Sequence, residues 1–155
     1  SLKKKFGYIS QNINILDDTI KNNIAFGIAE ENIDIEKIEK SLKFAQIYDF
    51  VMSLDDNINT YVGNQGVRLS GGQRQRIAIA RAAYNEPDIF VLDEATSALD
   101  VETEKKFIHD LEKILKDKTL IIISHRLETV KNCDRIILIE NGKIKKSGSF
   151  KEVYD

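Results

Sequence analysis

The 155-residue sequence contains a single cysteine, Cys133, so no intrachain disulfide can form. That removes the small disulfide-stapled class and suits a reducing compartment. It contains a single proline, Pro87, which reads as a helix stop. No apolar run approaches the roughly 20 residues that a membrane span requires. Ser1-Leu2-Lys3-Lys4-Lys5 lacks the following apolar stretch of a signal peptide, so the residues read as a soluble chain. Formal net charge is only -2, which gives no electrostatic case for nucleic acid or anionic lipid as a partner. There is no G-x-x-x-x-G-K-[ST] phosphate loop. Gly142-Lys143 is followed by Ile144 and lies in a hairpin signal, so it is no substitute. Internal repeats and low-complexity segments are also absent. What the chain does have is 42% hydrophobic residues, enough for one domain with a core.

The rest of the chain is organised around Leu69-Ser70-Gly71-Gly72-Gln73. Ser70 and Gln73 have the S-x-x-Q spacing of a capping box, which predicts a helix from Ser70 to about Asn85. The first turn of a helix leaves N–H groups unpaired and partly positive, an arrangement that attracts phosphate. The S-x-x-Q pair alone reads as a well-capped helix. Two consecutive glycines, however, weaken that helix and leave its backbone open to close approach, so they point to a further purpose.

Ile89 to Leu92 is a continuous apolar run, as in a parallel strand buried on both faces. Asp93 and Glu94 end it. Neighbouring strand residues point to opposite faces, so the two carboxylates suit different tasks. One can hold Mg²⁺, and the other can orient or deprotonate water. Taken alone, the pair also reads as two acids capping a turn.

In chain order, Phe6 to Ser10 reads as a strand ending at Gln11. Helical spacing follows over Thr19 to Ala25, Ile35 to Gln46 and Asp49 to Leu54, and Asp55 to Arg68 reads as loop. A helical insert therefore lies between Gln11 and Ser70. Ala95 to Leu99 reads as a turn, with Asp100 as N-cap of a helix from Val101 to about Leu115. Phe107, Leu111 and Ile114 give that helix its apolar face. Thr119 to Ile123 reads as a second buried strand, ending at Ser124-His125. Arg135 to Ile139 reads as a third, followed by the Asn141-Gly142 hairpin signal and a returning strand from Ile144 to Lys146. Ser149 to Tyr154 reads as a last helical turn. Three strands thus end in functional polar groups: Gln11, Asp93 with Glu94, and His125. If the strands are parallel, all three groups lie along one edge, as a single site requires. His109 sits mid-helix and reads as ordinary.

Leu69-Ser70-Gly71-Gly72-Gln73, the strand into Asp93-Glu94, Ser97-Ala98-Leu99-Asp100, His125 and Gln11, in that spacing, closely resemble an ABC-type ATPase. The resemblance spans essentially the whole chain but matches only the later part of such a domain. It implies an α/β fold with a P-loop NTPase-like, mostly parallel sheet, incomplete here, and an inserted helical subdomain. The implied division is 1–11 for a core strand and Gln11, 12–69 for the helical subdomain, and 70–155 for the remainder. The cofactors implied are ATP and Mg²⁺. Asp93 and Gln11 would contact the metal, Glu94 would be the general base, and His125 would contact the γ-phosphate. Ser70, Gly71, Gly72 and Gln73 would meet nucleotide bound to the opposite subunit, and Ser97 to Asp100 would cross that dimer interface. The implied partners are a transmembrane domain and a second nucleotide-binding domain, with no nucleic acid, at the cytoplasmic face of a bacterial inner membrane. Thr60 to Gly66 resembles the loop before the glycine motif in exporters, with Asn64 where glutamate is usual. The region Gln11 to Gly27 looks most like exporters of lipids or lipid-linked glycans. The absent phosphate loop implies a piece of a longer protein, inactive by itself.

Two other readings stand beside the exporter. One is a non-transport ABC ATPase of the DNA-repair or translation type, disfavoured by the short insert and the lack of a basic tract. The other is a truncated, non-catalytic interaction module.

Overall fold

The computed structural model describes residues 6–10, 12–64, 67–94 and 101–154. In chain order the described elements are β1 (Phe6–Ser10), β2 (Asp18–Thr19), α1 (Ile20–Ile24), α2 (Ile35–Phe44), α3 (Tyr48–Met52), β3 (Tyr61–Val62), α4 (Gly71–Ala83), β4 (Ile89–Asp93), α5 (Val101–Ile114), β5 (Thr119–Ile123), α6 (Leu127–Val130), β6 (Ile136–Glu140), β7 (Lys143–Gly148) and α7 (Phe150–Tyr154). Short 3₁₀ turns at Glu30–Asn32 and Asn57–Asn59 complete them.

The main sheet is parallel, in the order β1-β4-β5. Its register is flush: Phe6 faces Ile89, which faces Thr119, and Ser10 faces Asp93, which faces Ile123. The carboxyl ends of the three strands therefore form one edge, as the pattern of polar strand ends predicts.

Helix α4 starts where the S-x-x-Q spacing puts it. The Ser70 hydroxyl accepts from the Gln73 amide at 3.2 Å, and the Gln73 side chain accepts from the Ser70 amide at 2.8 Å. Such a cap stabilises a helix by about 1 kcal/mol. The helix ends before Pro87, with Glu86 in the left-handed region at φ 50. One side of α4 is fully buried at Ile77, Ile79 and Ala80, and it packs against β1, α1 and α2. The approach to β1 requires glycine at position 7. A Cβ there would lie 2.9 Å from both the Ala82 carbonyl oxygen and the Phe90 ring. Ile9, Phe90 and Leu92 on this face of the sheet join Ile38, Leu42 and Leu111 in one continuous core. The Phe44 and Phe90 rings stack at 5.7 Å within it.

Three expectations need correcting. The unbroken apolar run Thr119–Ile123 predicts burial on both faces, yet only Leu120 and Ile122 pack against the core. Ile121 and Ile123 are 45% and 49% exposed, like Phe6 and Tyr8 on the same face of the sheet. Among the described residues β5 pairs only with β4, so it is an edge strand, as the missing phosphate-loop segment implies for Leu120 to Ile123. The run 135–139 is likewise not a buried strand of this sheet. It forms β6, paired antiparallel with β7 in a separate hairpin whose Ile137, Ile139 and Ile144 are largely exposed. Its turn is as expected, with Asn141 and Gly142 both at positive φ (51 and 73). Residues 55–68, read as loop, also contain β3, which pairs antiparallel with β2. A two-residue ladder is too short to leave an alternation in the sequence.

Candidate functional site

The carboxyl edge of the sheet gathers the acids and the imidazole. Asp93 is the last residue of β4, between Ser10 of β1 and Ile123 of β5. Glu94 leaves the strand in the left-handed region, φ 45, and its amide donates to the Ile123 carbonyl at 3.0 Å. A non-glycine residue held there costs on the order of 1 kcal/mol, so the neighbouring strand end fixes a conformation the chain would not choose alone. The turn separates the two carboxylates. The Glu94 carboxylate meets His125, with Nδ1 and Oε1 3.3 Å apart. Both side chains are accessible: His125 is 67% exposed and Glu94 is 37% exposed.

The Asp93 carboxylate faces elsewhere and accepts a 2.5 Å hydrogen bond from the Tyr8 hydroxyl. That bond raises the Tyr8 pKa, with smaller contributions from burial and from the Asp93 charge. The phenol therefore remains a protonated donor. Tyr8 carries no sequence signal for this role, because its partner comes from β4 through the pairing of the two strands.

The described residues hold no cluster of three or more His, Cys, Asp or Glu able to enclose a metal. An ATP-linked Mg²⁺ does not need one. It is commonly held by one or two carboxylates together with waters and substrate phosphates. A single partly accessible strand-end carboxylate, Asp93, fits that donor set.

Ser70, Gly71 and Gly72 are exposed at the start of α4, and a Cβ on either glycine would meet nothing within 4 Å. No packing inside the described chain requires glycine at these positions. Among the described residues no hydrogen bond or ion pair links Ser70 or Gln73 to Asp93, Glu94 or His125. Gln11, Ser97, Ala98, Leu99 and Asp100, with the Asp100 cap, lie outside the described residues. His109 is an ordinary residue of α5 beside a cavity of about 220 Å³ between α5 and α6. A second cavity of about 210 Å³ lies between α2 and β4. Neither is lined by Asp93, Glu94 or His125.

A further group escaped the sequence reading. Glu104 of α5 is only 3% exposed. It accepts from Arg126 Nη1 at 2.5 Å and from Thr129 Oγ1 at 2.6 Å. A first-turn glutamate two positions after another glutamate reads as an ordinary acidic helix start, so nothing in the spacing marks it.

Acids and an imidazole at the carboxyl edge of a parallel sheet define the class of α/β proteins that act on ligands at strand ends. Comparison with known proteins narrows it. The family model described as ABC transporter matches residues 1–97, and this chain belongs to that family. It is 50% identical over 147 residues, 95% of its length, to the ATP-dependent lipid A-core flippase of Pseudoalteromonas translucida. It is 45% identical over its full length to the protein of that name in Francisella tularensis. In both cases it spans 25% of the relative. Among solved structures it resembles a bacterial Atm1-family ABC exporter with ATP bound, with a TM-score of 0.76 and 35% identity over 98% of this chain and 26% of that one. The α/β, P-loop NTPase-like fold expected from the motifs is the one found.

Proposed function

We propose that this chain forms part of the nucleotide-hydrolysing domain of an ABC exporter, one that moves a lipid or lipid-linked glycan across a bacterial membrane as lipid A-core flippases are named for doing. The observation that carries the reading is the flush edge of β1, β4 and β5, with Asp93, Glu94 and His125 at its end. The exporter reading outweighs the repair-type ATPase because the related proteins are flippases and exporters by name.

In this reading Asp93 holds Mg²⁺, which neutralises phosphate charge when bound, and Tyr8 keeps the Asp93 carboxylate oriented. Glu94 takes the proton of the attacking water. His125 contacts the γ-phosphate and keeps the Glu94 carboxylate in place until nucleotide arrives. Gln11 contacts the metal and the water. Ser70, Gly71, Gly72 and Gln73 present backbone and hydroxyl donors to nucleotide on the opposite subunit, and the bare approach to both glycines supports that. Residues 97–100 cross the same interface. Residues 12–69 form the helical subdomain that meets the transmembrane domain at the cytoplasmic face.

The test is Glu94→Gln in the full-length protein. The amide keeps the shape and loses the base, so ATP binding persists while turnover falls about 10²–10⁴-fold. Residues 1–155 alone, which contain no phosphate loop, give no Mg²⁺-dependent turnover. Near wild-type hydrolysis by the full-length variant contradicts the assignment.

A further inference from the structure

We propose that Glu104 is a positioning residue for His125, holding the turn that carries the imidazole to a fixed place on α5. The inference rests on the reading of His125 given above. A carboxylate this deeply buried must be paired, and Glu104 divides its two oxygens between two residues of one short segment. Oε2 takes the Arg126 guanidinium and Oε1 takes the Thr129 hydroxyl. Thr129 is itself buried, at 6% exposure. The segment is also knotted locally: the Arg126 amide donates to the Ser124 hydroxyl at 3.0 Å, and the Thr129 amide donates to the Arg126 carbonyl at 3.2 Å. His125 lies between Ser124 and Arg126, and its own ring is exposed, touching Glu94 at a long 3.3 Å.

The imidazole therefore owes its place to its neighbours more than to its own contacts. Glu104 ties two of those neighbours to α5 from a buried position, whereas the nearby Lys105–Glu128 pair at 3.5 Å is exposed. That helix begins at Val101, directly after residues 97–100 in sequence. A shift of α5 along its axis would be passed through the Glu104 carboxylate to Arg126 and Thr129, and so to His125. Small misplacements of a catalytic group are expensive: about 1 Å can cost about 10²-fold in rate.

A double-mutant cycle in the full-length protein separates positioning from general structural support. ATP turnover is compared for wild type, Glu104→Gln, His125→Ala and the double variant. Glu104→Gln lowers kcat by about 10-fold or more with little change in KM, since the loss falls on the reacting geometry. In the His125→Ala background the same substitution adds less than about 2-fold, because there is no imidazole left to place. An equal fold-loss in both backgrounds overturns the proposal and leaves the ATPase reading intact. Wild-type turnover by His125→Ala overturns both. Thr129→Val, which removes one hydrogen bond and keeps the shape, runs through the same cycle with a smaller loss of about 3-fold. It decides the matter should Glu104→Gln fail to fold.

Discussion

Arg81 ties α4 to a segment 58 residues earlier in the chain. Its Nε donates to the Asn23 carbonyl at 2.7 Å and its Nη2 to the Asn23 side-chain oxygen at 3.0 Å, while Nη1 reaches the Asn14 carbonyl at 3.1 Å. The guanidinium also lies over the Phe26 ring, 5.6 Å from its centroid. Burial lowers the Arg81 pKa, though an arginine so placed stays cationic. Asn23 is fully buried, and its amide donates in turn to the Leu16 and Thr19 carbonyls. Lysine cannot reproduce the fork, so Arg81→Lys loses at least one of the two bonds to buried Asn23 and costs about 1–3 kcal/mol. The readout is a lower urea midpoint at unchanged slope, and an unmoved midpoint contradicts it. This hub was not legible in the sequence. Arg81 looks there like a polar-face residue of a helix, and its partners are set only by tertiary packing. The same holds for Tyr8 and Glu104, whose partners lie across a strand pairing and a helix packing. The strand-end placement of Asp93, Glu94 and His125 was legible because each lies within two residues of the end of an apolar run.

At the scale of elements, caps and strand ends follow from local chemistry and were legible; burial was not. The Ser70–Gln73 box puts the start of α4 where its spacing says. The same logic applies to α7, where Ser149 and Glu152 have S-x-x-E spacing. The Ser149 amide and hydroxyl both donate to Glu152 Oε2 at 2.7 Å, and the Glu152 amide returns a 3.4 Å bond to the hydroxyl. Hydrogen bonds from Ser149, backbone first and then side chain, hold the Glu152 carboxyl below its ordinary range. Because the folded pKa is the lower one, the cap contributes fully above the unfolded carboxyl value of about 4.3 and is lost as pH falls through the folded value. The Ser149 amide resonance should therefore shift in a titration centred below that value, and Glu152→Gln should flatten the titration. A midpoint at or above the ordinary value would show that the cap does not form. By contrast, the apolar run of β5 gave its existence and bounds but not its exposure. Burial depends on what lies beside a strand, and a run of isoleucines reads the same at an edge as in the middle.

For the whole molecule, the parallel sheet has one packed face and one bare face. Phe6, Tyr8, Ile121 and Ile123 stand on the bare side, and the outer edge of β5 is unpaired among the described residues. Such an edge, apolar and uncharged, is a template for pairing with another chain. Residues 1–155 alone should therefore self-associate. Their sedimentation coefficient should rise with concentration, and Ile121→Lys with Ile123→Lys should suppress the rise. Concentration-independent sedimentation of the unsubstituted chain would show that the edge is protected.

The flush register of β1, β4 and β5 also works as a proofreading device. A slip of one residue along β5 displaces its end by about 3.3 Å and turns each of its side chains to the other face. The Glu94 amide would lose the Ile123 carbonyl, and Glu94 would lose the contact that holds it at positive φ. The isoleucines of β5 are nearly interchangeable, so hydrophobic packing alone discriminates weakly against that slip. The bond at the strand end adds about 1 kcal/mol against it. The chain thus carries its error check at the same edge as Asp93, Glu94 and His125, and a copy misaligned by a single residue would stay compact while its strand ends no longer met.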